Sequence, residues 1–509
     1  MQDPKGFVTF FKAARTVCAL LLMTHLIPVH GTPVEACNSL ACRCLTHQVT
    51  CSYEGLTELP TGIPNDTYIL ELWGNKFTSI TKTSFAGLSQ VTDILLSDNK
   101  ISSIEVGSFD WQSDTLEQLW LNTNELETLE VGVFRNLTEL KYLHLESNMI
   151  SSLSVGIFRD LSSLVSIDLN NNKISHLPSD IFRGLSFRKL GLARNGIMNI
   201  DNTLAALPSN LVTLDLNGND LGNLRAAMFS GFPNLTQLKL EANGMDSLPN
   251  NLFVGLDKLA LLHLDHNVLV ELNRASFGEH PKLEMLTLAN NSIVRIEPGI
   301  FSTFPKLRQI ELQANDLTYL PPGIFDNLTS LKFLHLDGNR LDNLDGNIFR
   351  DLQNVWYIYL QGNGMKSLPS TIFRGLQMLR YLYLDDNKLS VIESGTFDGL
   401  PRIENIYLED NPLTNITCGM LPTKNVSTVL WEISIDCTCE WKPVYDCPEF
   451  SWVGSKLECN SPLRFWFDSL DEVPKDALTC AAPRMFCFNH IGWVALSVLA
   501  LLSNIIISY

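Results

Sequence analysis

Along most of the chain, apolar residues recur in one fixed phrase. Two leucines stand three apart, a third follows two residues later, and an asparagine closes the phrase three residues beyond, as in Leu140, Leu143, Leu145 and Asn148 or Leu331, Leu334, Leu336 and Asn339. The closing asparagines fall at 75, 99, 124, 148, 172, 195, 219, 243, 267, 291, 315, 339, 363, 387 and 411. These fifteen units repeat every 24 residues, with one interval of 25 and one of 23. In a short strand, alternate side chains point to opposite faces, so both leucines of each L-x-L turn inward and the residue between them turns outward. A single unit cannot bury its leucines alone. The units therefore stack, strand beside strand, into a solenoid with one continuous core and one parallel sheet.

The remaining positions of the phrase follow from the same geometry. An asparagine side chain both donates and accepts, so at a strand end it satisfies turn backbone in its own coil and in the neighbouring one, as buried backbone requires. A second ladder, Phe85, Phe109, Phe134, Phe158, Phe182, Phe229, Phe253, Phe277, Phe301, Phe325, Phe349, Phe373 and Phe397, marks the wall opposite the strands. Burial of each ring there contributes a few kcal/mol. The pattern departs from itself at Asp110-Trp111-Gln112-Ser113, where one residue is inserted, and around Leu204, where the phenylalanine is missing, the one lost residue falling just before, between Asn172 and Asn195. Both departures are expected to be local irregularities of the outer wall. At ~4.8 Å per strand, fifteen units give a sheet of roughly 70 Å, a large recognition surface.

The ends of the chain differ from the repeats. Residues 1–31 carry Lys5, Lys12 and Arg15, then an apolar run from Val17 to Ile27, then small residues, which reads as a secretory signal peptide and not a membrane span, because the run is too short. Residues 491–509 are uncharged and apolar, preceded by a spacer at 481–490, and no Lys or Arg cluster follows them. They read as a lipid-anchor signal or, alternatively, a transmembrane helix. Sequons at Asn65, Asn136, Asn234, Asn290, Asn327, Asn415 and Asn425 are candidate glycosylation sites on a secretory route. The formal charge is −18, and without residues 1–31 the chain keeps 34 basic and 54 acidic residues, a balance of −20. That charge repels nucleic acid and anionic lipid, leaving an extracellular protein, peptide or glycan as the expected ligand.

Cysteines sit only outside the repeats: Cys37, Cys42, Cys44 and Cys51 before them, with Cys18 in the leading 31 residues, and Cys418, Cys437, Cys439, Cys447, Cys459 and Cys480 after them, with Cys487 in the spacer. A solenoid exposes its core at both ends, and crosslinked caps in an oxidising compartment close it. Zinc is the alternative for C-x-C groups, but paired C-x-x-C spacing is absent. On these features the chain resembles extracellular leucine-rich-repeat proteins with cysteine caps at both ends, such as slit-like, Nogo-receptor-like and variable-lymphocyte-receptor proteins. The resemblance implies an α/β solenoid, a leucine-rich-repeat horseshoe with a parallel concave sheet and disulfide-stapled caps. It divides the chain into a signal peptide at 1–31, an N-terminal cap at 32–66, fifteen repeats at 67–411, a C-terminal cap at 412–480, the spacer and the tail. It further implies pairing of Cys37 with Cys44, Cys42 with Cys51, Cys437 with Cys459 and Cys439 with Cys480, leaving Cys418 and Cys447 for each other and Cys487 unpaired. The family places its C-x-C soon after an Asn-Pro, whereas here an insertion containing Cys418 separates Asn411-Pro412 from Cys437.

In such proteins ligands often dock on the concave sheet. Its outward positions include Trp73, Trp120, Tyr142 and His144 in the N-terminal third, and a denser set in the C-terminal third: Phe333, His335, Asp337, Tyr357, Tyr359, Gln361, Tyr381, Tyr383, Asp385, Tyr407 and Glu409. Tyrosine is amphipathic and loses little entropy on contact. Tyrosine also simply favours strands, but a whole exposed column needs a further reason on a soluble surface. Tyrosine beside aspartate and glutamate points to a partner offering basic and apolar groups. His144, His263 and His335 lie several units apart, so no metal site is expected.

The expected function is a cell-surface recognition or adhesion receptor, with a co-receptor if it signals; the alternative is a secreted or matrix-associated structural protein. No H-E-x-x-H, G-x-S-x-G, P-loop or dinucleotide fingerprint is present, so neither an enzyme nor a cofactor is expected. A hydrolase is the remote third reading, because an open sheet is expected to leave its carboxylates, such as Glu146 and Asp168, little desolvated.

Overall fold

The computed structural model describes residues 42–204 and 207–413, with the backbone of three short strands at Ile433–Ile435, Leu457–Cys459 and Phe465–Phe467. The signal peptide, Cys37, the C-terminal cysteines apart from the backbone of Cys459, the sequons at Asn415 and Asn425, the spacer and the apolar tail lie outside the described residues. Among the described residues, no helix is long and apolar enough to cross a membrane.

Fifteen three-residue strands, from Ile69–Glu71 to Asn405–Tyr407, pair in parallel with their sequence neighbours. Each is displaced by one repeat, so that Leu143 stands opposite Ile167 and Leu334 opposite Ile358. The central residue of every strand is buried and its two flanks are mostly half-buried, the alternation that L-x-L imposes. Two further strands, Arg43–Leu45 and Gln48–Thr50, form an antiparallel hairpin, and its second arm joins the first repeat in parallel, making a sheet of 17 strands. Cys42 and Cys51 are disulfide-bonded across the base of this hairpin, and Cys44 is also disulfide-bonded.

One apolar core runs from Val49 to Leu413 without interruption. Its far wall is the phenylalanine ladder, in which eight successive pairs of rings stand 5.7–6.3 Å apart, as with Phe158 and Phe182 at 5.8 Å or Phe349 and Phe373 at 6.3 Å. Aromatic rings on the sheet face are closer, for example 4.4 Å between Tyr383 and Tyr407. Coils spaced more widely at the phenylalanine wall than at the strands must curve, with the strands on the inside.

The asparagines bond two coils at once. Asn148 donates from Nδ2 to the carbonyls of Leu121 (2.9 Å) and Leu145 (3.0 Å), while its Oδ1 accepts the N–H of Leu126 (3.0 Å). Asn315 and Asn363 repeat the arrangement. The residue just before each asparagine has positive φ in all fifteen repeats. It is glycine at 74, 218, 338 and 362 and another residue elsewhere, including Arg194, Ala242 and Ala314. Left-handed backbone costs a non-glycine residue about 1 kcal/mol, and the asparagine's hydrogen bonds hold the turn in that state.

Both irregular units remain in register. The inserted Asp110–Gln112 forms a 3₁₀ turn whose buried Gln112 donates from Nε2 to the carbonyls of Phe85 and Leu88. The unit without a ladder phenylalanine carries a one-turn helix, Asp201–Leu204. Ahead of it Phe187, fully buried, packs edge-on against Phe182 at 5.2 Å.

Candidate ligand-binding face

The strands at Phe333–His335, Tyr357–Tyr359, Tyr381–Tyr383 and Asn405–Tyr407 are consecutive in the sheet. Because each repeat returns to the same register, outward residues 24 apart become neighbours. Two aromatic columns result. In one, Phe333, Tyr357 and Tyr381 stack at 5.3 and 4.6 Å; in the other, His335, Tyr359, Tyr383 and Tyr407 stack at 4.2, 4.6 and 4.4 Å. Interplanar angles of 6–18° at such separations mean that the rings lie face against face. The faces are consumed by the stack, and the sheet presents ring edges and hydroxyls to the solvent.

Beside the second column runs a row of polar side chains, Gln313, Asp337, Gln361, Asp385 and Glu409, all half-buried. Burial pushes up the carboxyls of Asp337 and Asp385, and that of Glu409 reaches about 7, with the charges of Asp385 and Asp410 adding to the effect. Burial also lowers His335 and, together with Tyr407 and Tyr359, raises the Tyr383 hydroxyl. The expectation that an open sheet leaves its carboxylates little desolvated is therefore corrected: rings packed at the repeat spacing shield the groups beside them.

The structure thus brings together all eleven sequence-predicted residues of this face in adjoining strands or at their ends. The N-terminal aromatics form a smaller group: Trp120 lies 4.5 Å from His144, and Trp73 meets Tyr53 edge-on at 4.8 Å. Several flanking residues were not anticipated. Lys332 Nζ sits 3.7 Å over the ring of Trp356, and Glu404 accepts hydrogen bonds from Arg380 (3.0 Å) and from the Tyr381 hydroxyl (2.6 Å). Lys332 and Trp356, like Arg380 and Glu404, are 24 residues apart, the signal that would have found them.

The three histidines stay far from one another, yet each lies by a carboxylate: His144 by Glu146 (3.5 Å), His263 by Glu241 (3.6 Å) and His335 by Asp337 (3.9 Å). Glu241, His263 and Asp265 bring potential ligand atoms within 4.8 Å of one another, an adjacency that comparing histidines alone had missed. Thr287 occupies the same corner, donating to Asp265 and standing 3.4 Å from His263 Nδ1. Of the described sequons, Asn65, Asn136, Asn290 and Asn327 are exposed. Asn234 is half-buried and accepts from Lys258 at 2.6 Å.

A curved parallel solenoid with an asparagine ladder and a phenylalanine wall defines a protein built of leucine-rich repeats. The leucine-rich-repeat model matches seven overlapping or adjacent stretches between residues 67 and 413, and the chain belongs to that family. Human leucine-rich repeat-containing protein 3B is 36% identical over 89 residues, 18% of this chain and 34% of that protein. Biglycan of Xenopus laevis is 37% identical over 73 residues, 14% of this chain and 20% of that one. The chain therefore spans about a third or less of the length of these relatives. Among solved structures, a leucine-rich-repeat protein of Leptospira interrogans superposes with a TM-score of 0.64 at 25% identity, covering 77% of this chain and 95% of that one. The Toll–Spatzle complex of Drosophila matches in fold at 20% identity with a TM-score of 0.60, covering 78% and 59%.

Proposed function

We propose that the chain is an extracellular recognition protein that binds a protein ligand on the concave face between Phe333 and Glu409. The observation carrying this reading is the pair of stacked aromatic columns, which spans four successive repeats and keeps its ring edges at the solvent. Stacked rings are rigid, so little side-chain entropy is lost when a partner docks on them. The fold likeness to Toll, solved in complex with Spatzle, supports a protein ligand. The apolar segment 491–509 attaches the protein to the cell surface, as a lipid-anchor signal or a membrane span, and its recognition work involves no catalysis.

The test is a screen of the full chain, displayed on cells, against an arrayed set of extracellular proteins. Replacing Tyr357, Tyr359, Tyr381 and Tyr383 with serine should abolish capture of the ligand so identified and leave display unchanged. Unaltered capture would remove the reading. Release by phospholipase C separates the two modes of attachment.

A further inference from the structure

The residue following the last strand leucine occupies the same place in every repeat, at the rim of the concave face. In three middle repeats its side-chain oxygen is met inside the protein, whereas Glu146 in an earlier repeat keeps one unpartnered oxygen. The N–H of Ala193 donates to Asn170 Oδ1 (2.5 Å), that of Glu241 to Asn217 Oδ1 (2.8 Å) and that of Ala289 to Asp265 Oδ1 (2.7 Å). From residue 313 onward this changes. Gln313, Asp337, Gln361, Asp385 and Glu409, in five consecutive repeats, each hold a buried side-chain oxygen with no hydrogen-bond donor among the described residues. His335 Nδ1 stands 3.9 Å from Asp337 Oδ1, beyond hydrogen-bond distance, and burial disfavours it as a cation. A buried acceptor without a donor is unfavourable, and five in a row are a cost that the fold itself does not relieve.

The nearby cations are committed elsewhere. Lys332 lies over Trp356, and Arg380 is paired with Glu404. The strip also carries Glu311, Asp386 and Asp410 beside its three carboxylates, all acting on their neighbours as like charges. We propose that the segment of ligand contacting this face is a basic, extended polypeptide stretch. It lies across the strands along Gln313, Asp337, Gln361, Asp385 and Glu409, with guanidinium and ammonium groups pairing with the half-buried carboxylates of Asp337, Asp385 and Glu409. The inference rests on the reading above and adds the chemistry of the ligand. Two repeats span about 10 Å, close to three residues of a polyproline-II chain, in which every third side chain returns to the same face, so Asp337 and Asp385 match basic residues three apart. A sugar ring prefers an aromatic face, and here the faces are closed by stacking, which favours the peptide over a glycan.

The test compares the full chain with D337N/D385N/E409Q, which keeps side-chain size, and with E125Q/E127Q/E130Q, which removes three exposed carboxylates far from the strip. The probe is a fluorescein-labelled twelve-residue peptide with arginine at every third position and leucine or serine between, with a scrambled cluster of the same composition as reference. The first variant should lose about tenfold or more in affinity, and the second should bind like the native chain. Equal loss in both variants would reduce the effect to net charge and overturn the proposal. So would binding of neutral oligosaccharides that D337N/D385N/E409Q leaves intact. If that variant fails to fold, carbodiimide labelling of the native chain decides instead: the peptide should protect Asp337, Asp385 and Glu409 selectively, and absence of protection overturns the proposal. A natural ligand lost with the tyrosine substitutions but retained by D337N/D385N/E409Q would sink this inference alone; one retained by both would sink the reading beneath it as well.

Discussion

The rings of Tyr383 and Tyr407 are 24 residues apart in sequence and lie 4.4 Å apart, nearly parallel. The same separation joins Lys332 to Trp356, Arg380 to Glu404 and Asp215 to Lys239. In this solenoid one turn of chain plays the part that two residues play along a strand or four along a helix, and most surface chemistry is written in that interval.

Asn148 makes three hydrogen bonds with buried backbone groups, so its replacement by alanine orphans the Leu126 N–H and takes one of two donors from the carbonyls of Leu121 and Leu145, which Asn124 and Asn172 still reach. Asn148→Ala should destabilise the chain by about 3 kcal/mol, read as a lower urea midpoint. Because neighbouring coils support each other, hydrogen exchange should accelerate first in the repeats on either side of residue 148. Uniform exchange across the solenoid would contradict this.

Ala314 holds a φ of 52° just ahead of Asn315. Glycine relieves left-handed strain of about 1–2 kcal/mol and gives back part of it through unfolded-state entropy. Ala314→Gly should therefore raise stability by about 0.5–1 kcal/mol. The same change at buried Ala289 offers no such relief and should destabilise. A thermal melt of both variants checks the sign.

Phe349 is fully buried and stacked between Phe325 (6.2 Å) and Phe373 (6.3 Å). Phe349→Ala opens a cavity in the far wall and should cost about 3–5 kcal/mol. Phe333→Ala, on the half-buried face, should cost much less stability and instead weaken ligand capture. Denaturant titration and binding assay together separate the two.

The Glu409 carboxyl stands at about 7 in the folded chain against 4.5 for the free group, through burial and the charges of Asp385 and Asp410. The folded state thus holds this proton more tightly than the unfolded one. Its contribution to stability is greatest below pH 4.5, declines as the pH rises to 7, and is level above that. Glu409→Gln should remove that part of the slope, so the difference between native and variant urea midpoints should change between pH 4.5 and 7. A constant difference across this window would refute the assignment.

The solenoid was legible because leucine and asparagine act as both pattern and cause: the spacing that buries one also places the other. The Tyr357–Tyr407 face was legible for the same reason, since L-x-L fixes which residues point outward. The left-handed residue before each asparagine was not, because Arg194, Ala242 and Ala314 have no intrinsic preference for it and the hydrogen bonds of the next residue impose it. The desolvation of Glu409 and the Glu241–His263–Asp265 corner were also hidden, since both depend on side chains from adjacent coils. The Cys42–Cys51 crosslink could be anticipated only through family resemblance, as four cysteines allow several pairings.

The antiparallel hairpin at Arg43–Thr50 also bears on self-association. Parallel pairing in identical register is an open-ended instruction: any unprotected strand edge invites another copy of the same motif to join it, and polymers follow. By reversing direction between Leu45 and Gln48, the chain places an antiparallel strand outside Gln48–Thr50, where the next repeat of a second molecule finds no parallel template. The hairpin thereby replaces an edge that would template one more parallel repeat with one that does not.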